Sequence, residues 1–286
     1  MLKAKQRNDD LIQSIREQRK KFSKVKHKPN ELDTRKIYPR YVDCKICRGT
    51  LYKKDGTMCS CMKQYLLELK YKECNIGEKY YDTNLQFYKR NMKNMMVEIN
   101  NARPKNVDFF ISYIQLYIDT FDKRLNDGRG FLLSGECGCG KTGALCFVVK
   151  SLKQLGYDVY YIDTNELLET ISASYDNDIN AKEKLSKLKK YDLLVLDDFG
   201  SEYGKDTWRY NIFLKLLKSR YSKSLPTLMS TNLEPIDLMD SFSEEVAPRL
   251  SSVFSEIFEI LVLSGTKDMR LKNAKKSLYD KMNSEV

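Results

Sequence analysis

No apolar run in this chain approaches the length a helix needs to cross a bilayer. The opening residues, Met1-Leu2-Lys3-Ala4-Lys5-Gln6-Arg7, lack the apolar stretch of a secretory leader. Both absences lead to the expectation of a soluble, cytoplasmic protein with no membrane partner. In that compartment the eight cysteines read as reduced thiols or metal ligands, not disulfides. Acidic charge is also short, with 39 Asp and Glu against 50 Lys and Arg, a net +11. An anionic partner follows, nucleic acid before membrane, although a lysine-rich surface also serves solubility alone. Residues 1–43 hold 13 Lys and Arg against 6 Asp and Glu, so +7 of the excess sits in an arm with no core of its own. Within it, residues 8–22 have the spacing of a basic helix with a thin apolar stripe, either a solvated helix or one that docks to a partner.

What is present is organised around Phe131 to Thr142, a short apolar strand running into Gly135-Glu136-Cys137-Gly138-Cys139-Gly140-Lys141-Thr142. This is Gly-x-x-x-x-Gly-Lys-Thr, the phosphate-binding loop of P-loop nucleotidases. Its glycines let successive backbone N–H groups turn towards phosphate oxygens. Lys141 would reach the β and γ phosphates of ATP, and the Thr142 hydroxyl would hold Mg²⁺. Leu145, Val148, Val149, Leu152 and Leu155 follow at helical spacing before Gly156, so the loop opens a helix whose dipole favours an anion. A glycine-rich turn without a ligand is the competing reading, and the order strand, full motif, amphipathic helix argues against it. Cys137 and Cys139 fit the loop as tolerated small side chains; oxidation that blocks ATP is the alternative, because anion-binding helix ends lower thiol pKa.

Ahead of this loop, Cys44-Lys45-Ile46-Cys47 and Cys59-Ser60-Cys61 flank a hairpin pattern with Asp55-Gly56 as its turn. Two cysteine pairs brought together by a hairpin offer four thiolates to a tetrahedral Zn²⁺. A redox dithiol is the rival, but no βαβ unit accompanies this Cys-x-x-Cys. Cys74 reads as a lone thiol. Residues 62–72 are expected as a helix, 75–87 as a connection, and 90–123 as a long helical pattern carrying Val107, Phe110, Ile111, Ile114, Tyr117, Ile118 and Phe121.

Beyond the loop, residues 158–163 read as a strand and 165–173 as a helix, followed by a stretch with five lysines between Lys182 and Lys190. Leu193-Leu194-Val195-Leu196 is a wholly apolar strand, of the kind buried on both faces, and it ends in Asp197-Asp198. There Asp197 would take Mg²⁺ through its water shell, and Asp198 would orient or deprotonate the attacking water. Acidic pairs at strand ends are common; the position after an apolar strand downstream of a phosphate loop favours the functional reading. Residues 225–231 form a further strand, placing Asn232 at its tip where it can meet the γ-phosphate or the water, and residues 258–263 form a fifth.

These pieces resemble the AAA+ ATPases of the DnaC-type replicative helicase loaders, with the IstB-like transposition ATPases close by. The likeness spans roughly residues 40–270 and rests on the four cysteines, the Asn75-Ile76 to Tyr81-Asp82 connection, the phosphate loop, Leu196-Asp197-Asp198-Phe199-Gly200, Ser230-Thr231-Asn232 and Arg249-Leu250. It implies an α/β P-loop fold with a central parallel five-stranded sheet preceded by a zinc-ribbon-like module. The domains would be a basic arm (1–43), a four-cysteine module (44–74), a linker (75–105), the AAA+ domain (106–266) and a basic tail (267–286). It further implies ATP hydrolysis with Mg²⁺, a ring-shaped replicative helicase and single-stranded DNA as partners, and self-association in the ATP state. Arg249 sits where the family carries an arginine finger, and the region 171–190 where it grips single-stranded DNA. The cysteine module favours a loader over a transposition ATPase; a nucleotide-gated single-stranded-DNA-binding adaptor with little hydrolysis is the other alternative. Two departures stand out: Asp198 replaces a commoner, longer Glu, and only about twenty residues follow Gly265, which leaves Arg270 a weak candidate for a sensor arginine.

Overall fold

Hydrophobic runs set the centre of the molecule, and capping residues set where its helices begin. A computed structural model describes residues 44–200 and 207–265. The arm helix at 8–22 and Arg270 lie outside the described residues. Those residues fall into two compact units, one of 44–81 with 153–157, the other of 82–152 with 158–265.

In the first unit the chain turns at Arg48, Gly49 and Leu51, all with positive φ, and then makes the expected hairpin. Tyr52 bridges Met58 antiparallel, and Gly56, at φ +77, closes the turn. The Asp55 carboxylate holds that turn by accepting from Thr57 N at 2.8 Å and Thr57 Oγ1 at 2.6 Å. Helix α1 (Ser60–Glu73) starts immediately after Cys59, so Cys61 lies in its first turn. Asn75, at φ +62, ends the helix in the left-handed conformation Asn tolerates. Cys74 is buried and its thiol donates to the Lys70 carbonyl.

The second unit is an α/β fold around a seven-stranded sheet. The strands are β1 (Met96–Ile99), β2 (Lys105–Asn106), β3 (Gly130–Gly135), β4 (Val159–Asp163), β5 (Leu193–Phe199), β6 (Thr227–Thr231) and β7 (Phe258–Ser264), in the order β2-β1-β7-β3-β6-β5-β4. The five expected strands are there and mutually parallel. Two more extend the sheet, β1 antiparallel to β7 and β2 antiparallel to β1. They replace the first part of the helical pattern expected over 90–123. Helix α3 runs only over Val107–Asp119, because the Asn106 side chain caps it by accepting from Phe109 N at 3.2 Å. Its buried face is Val107, Phe110, Ile114, Tyr117 and Ile118, the stripe expected to cover a sheet face. Phe121 belongs to a separate turn of helix, α4 (Phe121–Asp127), stopped by Gly128 at φ +71.

Before β1 comes α2 (Gln86–Asn91); after β3 come α5 (Lys141–Gln154), α6 (Thr164–Tyr175), α7 (Ile179–Leu188), α8 (Thr207–Tyr221), α9 (Pro235–Asp240) and α10 (Ala247–Ile257). Strands β3 and β6 are buried at every position and β5 at all but Asp198, as expected for central parallel strands. Phe199 anchors the end of β5 by stacking on Phe213 at 5.1 Å and on Phe242 at 5.6 Å. Arg220 of α8, with no exposed surface, is buried by design of its neighbours: it donates to the carbonyls of Leu188, Tyr191 and Pro226 and to Thr227 Oγ1 at 2.7–3.1 Å. Burial pulls its pKa down and Asp192 pushes it back up.

Candidate nucleotide site and four-cysteine centre

The sheet's parallel strands deliver their chemistry at their C-terminal ends, and the phosphate loop lies there between β3 and α5. Gly135 leaves β3 at φ +151 against the Leu263 carbonyl, which a Cβ would meet at 2.5 Å. Gly138 and Gly140, at φ +80 and +95, complete the curl. The Lys141 ammonium is folded back on the loop, donating to the carbonyls of Gly135 at 2.6 Å and Glu136 at 2.9 Å. A phosphate oxygen at the loop would offer it a charged partner in place of two carbonyls. Thr142 occupies the first turn of α5, half-buried, beside it.

Asp197 and Asp198 end β5 in different environments. Asp197 is buried, and its carboxylate accepts from Ser230 Oγ and, at 2.5 Å, from the Tyr161 hydroxyl. Its carbonyl accepts from Thr164 Oγ1 at 2.8 Å. Asp198 sits on an irregularity in the β5–β6 register, with φ +58. That bulge turns its half-buried side chain to Asn232, whose amide donates to the Asp198 carboxylate. The structure thus brings the two carboxylates, Ser230 and Asn232 into one hydrogen-bonded group. Asp163 stands opposite Asp197 in the β4–β5 register; burial raises its carboxyl, and repulsion from Asp198 and Asp197 adds to that. Carboxylate oxygens are the donor type that Mg²⁺ prefers.

The remaining candidates separate from this group. Arg249 lies in the first turns of α10, half-exposed, donating to Asn211 Oδ1 at 3.3 Å and pairing with Glu245 at 3.7 Å. In the 171–190 region, Lys182 donates to Asn177 Oδ1 at 2.6 Å and Lys184 is paired with Glu166 at 2.7 Å. Lys184 and Lys187 line a shallow groove of about 330 Å³ with Tyr160, Glu183 and Tyr191. Cys137 is exposed, whereas Cys139 is buried and 3.7 Å from the Lys141 ammonium. Burial pushes the Cys139 thiol up, and it outweighs the lowering by the Lys141 ammonium and backbone beside it.

Tyr88 is a functional candidate that the sequence did not reveal. Its hydroxyl donates to the Gly140 carbonyl at 2.6 Å, across 52 residues, and only a long-range contact of this kind could have marked it.

In the first unit, Cys44, Cys47, Cys59 and Cys61 bring their sulfurs within 4.8 Å of one another. The Cys44 and Cys59 sulfurs are 3.8 Å apart, those of Cys47 and Cys61 3.3 Å. A tetrahedron with Zn–S near 2.3 Å needs S–S separations of about 3.8 Å, so the cluster fits zinc. Backbone N–H groups of Cys47 and Ile46 hold the Cys44 thiol down at about 6, and the Cys61 N–H lowers Cys59. Those N–H groups already face the charge that thiolate ligands carry.

Comparison with known proteins agrees with this geometry. The model of the IstB-like ATP binding protein family matches residues 123–246. The replicative helicase loader DnaI of Bacillus subtilis (strain 168) is 27% identical over 186 residues, 62% of this chain and 58% of that protein. A putative insertion sequence ATP-binding protein of Sinorhizobium fredii is 26% identical over 148 residues, 50% and 48% of the two chains. The chain therefore spans about half the length of the curated relatives it matches. The crystal structure of the DnaC helicase loader superposes with a TM-score of 0.51 at 25% identity, covering 66% of this chain and all of that one. The phosphate loop and the strand-end carboxylates thus lie within the stretch that matches the IstB-like ATP binding protein family, on a P-loop AAA+ fold, and the chain is similar to the DnaI and DnaC helicase loaders.

Proposed function

We propose that this chain is an ATP-dependent replication factor that loads a ring-shaped replicative helicase onto single-stranded DNA. The observation that carries the reading is the pairing, in one chain homologous to loaders, of an AAA+ nucleotide site with a four-cysteine cluster ahead of it. In this reading Gly135 to Thr142 bind the ATP phosphates through backbone N–H groups, with Lys141 neutralising charge as it moves off the loop carbonyls. Thr142 and Asp197 would hold Mg²⁺, which would supply positive charge against the negative charge developing on the phosphates. Asp198 takes the proton of the attacking water, Asn232 sets the angle of the Asp198 carboxylate, and Arg249 reaches the nucleotide of a neighbouring copy. Cys44, Cys47, Cys59 and Cys61 would hold one structural zinc in the helicase-facing module. Single-stranded DNA follows the lysines of α7.

The relative from an insertion sequence supports a second reading, a transposition accessory ATPase. The two part in a reconstitution with purified replicative helicase and a DNA circle coated with single-strand-binding protein. Helicase retained on DNA only when this chain and ATP are both present supports the loader. Failure to co-purify with the helicase, together with ATP-dependent capture by a transposase, transfers the function to transposition.

A further inference from the structure

Gly140 and Gly143 are glycines for a reason outside the phosphate motif. A Cβ on Gly140 would stand 2.8 Å from Tyr88 Cε1 and 2.9 Å from Met92 Cε, and one on Gly143 would stand 3.0 Å from the Tyr88 hydroxyl. Both spaces are taken by the segment from Thr83 to Met92, which lies against the start of α5. The segment is tied down at two points. Lys150, buried in α5, donates to the Thr83 carbonyl at 2.7 Å and to Thr83 Oγ1 at 3.2 Å. Ten residues earlier, immediately ahead of the same helix and about 15 Å away at 1.5 Å per residue, the Tyr88 hydroxyl donates to the Gly140 carbonyl. The Tyr88 ring is 2% exposed and packs on Phe110 of α3 at 5.5 Å, so its hydroxyl is held in place by a rigid neighbour.

The Gly140 carbonyl belongs to the same peptide unit as the Lys141 N–H, and in a trans peptide the two point in opposite directions. That carbonyl accepts twice, from Ala144 N at 3.1 Å within the helix and from Tyr88. We propose that Tyr88 is a positioning residue for nucleotide binding: it fixes the plane of the Gly140–Lys141 peptide so that the Lys141 N–H faces the phosphate. A second hydrogen bond on the carbonyl also polarises the peptide and strengthens the N–H as a donor. This rests on the assignment of Gly135 to Thr142 as the ATP phosphate loop. It adds a residue 52 positions upstream to that loop.

The test is a double-mutant cycle of Tyr88→Phe and Gly143→Ala, read as ATP affinity by calorimetry and as the melting temperature without nucleotide. Tyr88→Phe keeps the ring and removes one hydrogen bond, so ATP affinity falls about threefold to tenfold, while the nucleotide-free melting temperature falls by no more than the few degrees one hydrogen bond is worth. Gly143→Ala adds a methyl 3.0 Å from the hydroxyl, which must give by a few tenths of an ångström, and it weakens ATP in the wild-type background. In the Tyr88→Phe background, where the hydroxyl is gone, Gly143→Ala costs little more. Unchanged ATP affinity in Tyr88→Phe, or two losses that simply add, overturns the inference. A wild-type chain that takes up no ATP overturns the phosphate-loop assignment and this inference with it.

Discussion

Asp198 shows how one residue's backbone assigns its role. Its φ of +58 is a conformation that non-glycine residues adopt at a cost of order 1 kcal/mol or more, and Phe199, clamped between Phe213 and Phe242, holds the chain in it. The turn separates the two carboxylates: Asp197 goes inward to Ser230 and Tyr161, Asp198 outward to Asn232. Asp198→Asn is therefore expected to keep ATP affinity within about twofold and to lower turnover by roughly 10²-fold or more, the scale of a general base. Turnover by phosphate release beside a nucleotide titration checks this; equal turnover would remove Asp198 from the chemistry. Arg220 makes a stability prediction. Arg220→Ala strips donors from three carbonyls, two of them buried, and opens a cavity, so urea unfolding should show a loss of about 3–5 kcal/mol. Asp197, Asp198 and Asn232 were legible because they end apolar strands that follow a phosphate loop. Arg220 and Tyr88 were not, since neither stands in a motif and each owes its place to partners distant in sequence.

At the scale of elements, β3 to β7 were readable because four of them are short runs of consecutive apolar residues between turns, too short for most helices and of the length of a buried strand. Strands β1 and β2 were not, since four residues and two residues carry no usable period, and the helical stripe from Val107 onward overran them. The Asn106 cap, which ends the overrun, was in plain view. The cysteine hairpin was read from spacing alone and its sulfurs converge. Elemental analysis is expected to find about one zinc per chain. Replacing Cys59 with Ser should release it and unfold the module, with ATP binding largely kept; a folded module without metal would contradict the assignment. For α7, Lys184 is engaged with Glu166, so the five-lysine stretch is less free than its count suggests. Replacing Lys182, Lys184 and Lys187 with Ala should still weaken single-stranded DNA binding and flatten its salt dependence, by up to about two units of slope for three lost phosphate contacts. An unchanged slope would move the DNA site off this helix.

At the scale of the whole molecule, the exposed Arg249 looks outward. Within one copy Arg249 has a modest surface pair with Glu245, an interaction worth less than about 1 kcal/mol, so it is easily given up to a nucleotide on a neighbour. Arg249→Ala and Asp198→Asn chains are each expected to be inactive alone and to regain turnover when mixed, because composite interfaces would pair an intact Asp198 with an intact Arg249. No recovery in mixtures that demonstrably co-assemble would leave Arg249 as an ordinary surface residue. The loader reading depends on the phosphate loop binding ATP, and the most direct measurement is a calorimetric titration of ATP with Mg²⁺ into the wild-type chain and into Lys141→Ala. The account predicts saturable binding near one nucleotide per chain in the wild type and none measurable in the folded variant; equal affinity in the two would contradict it.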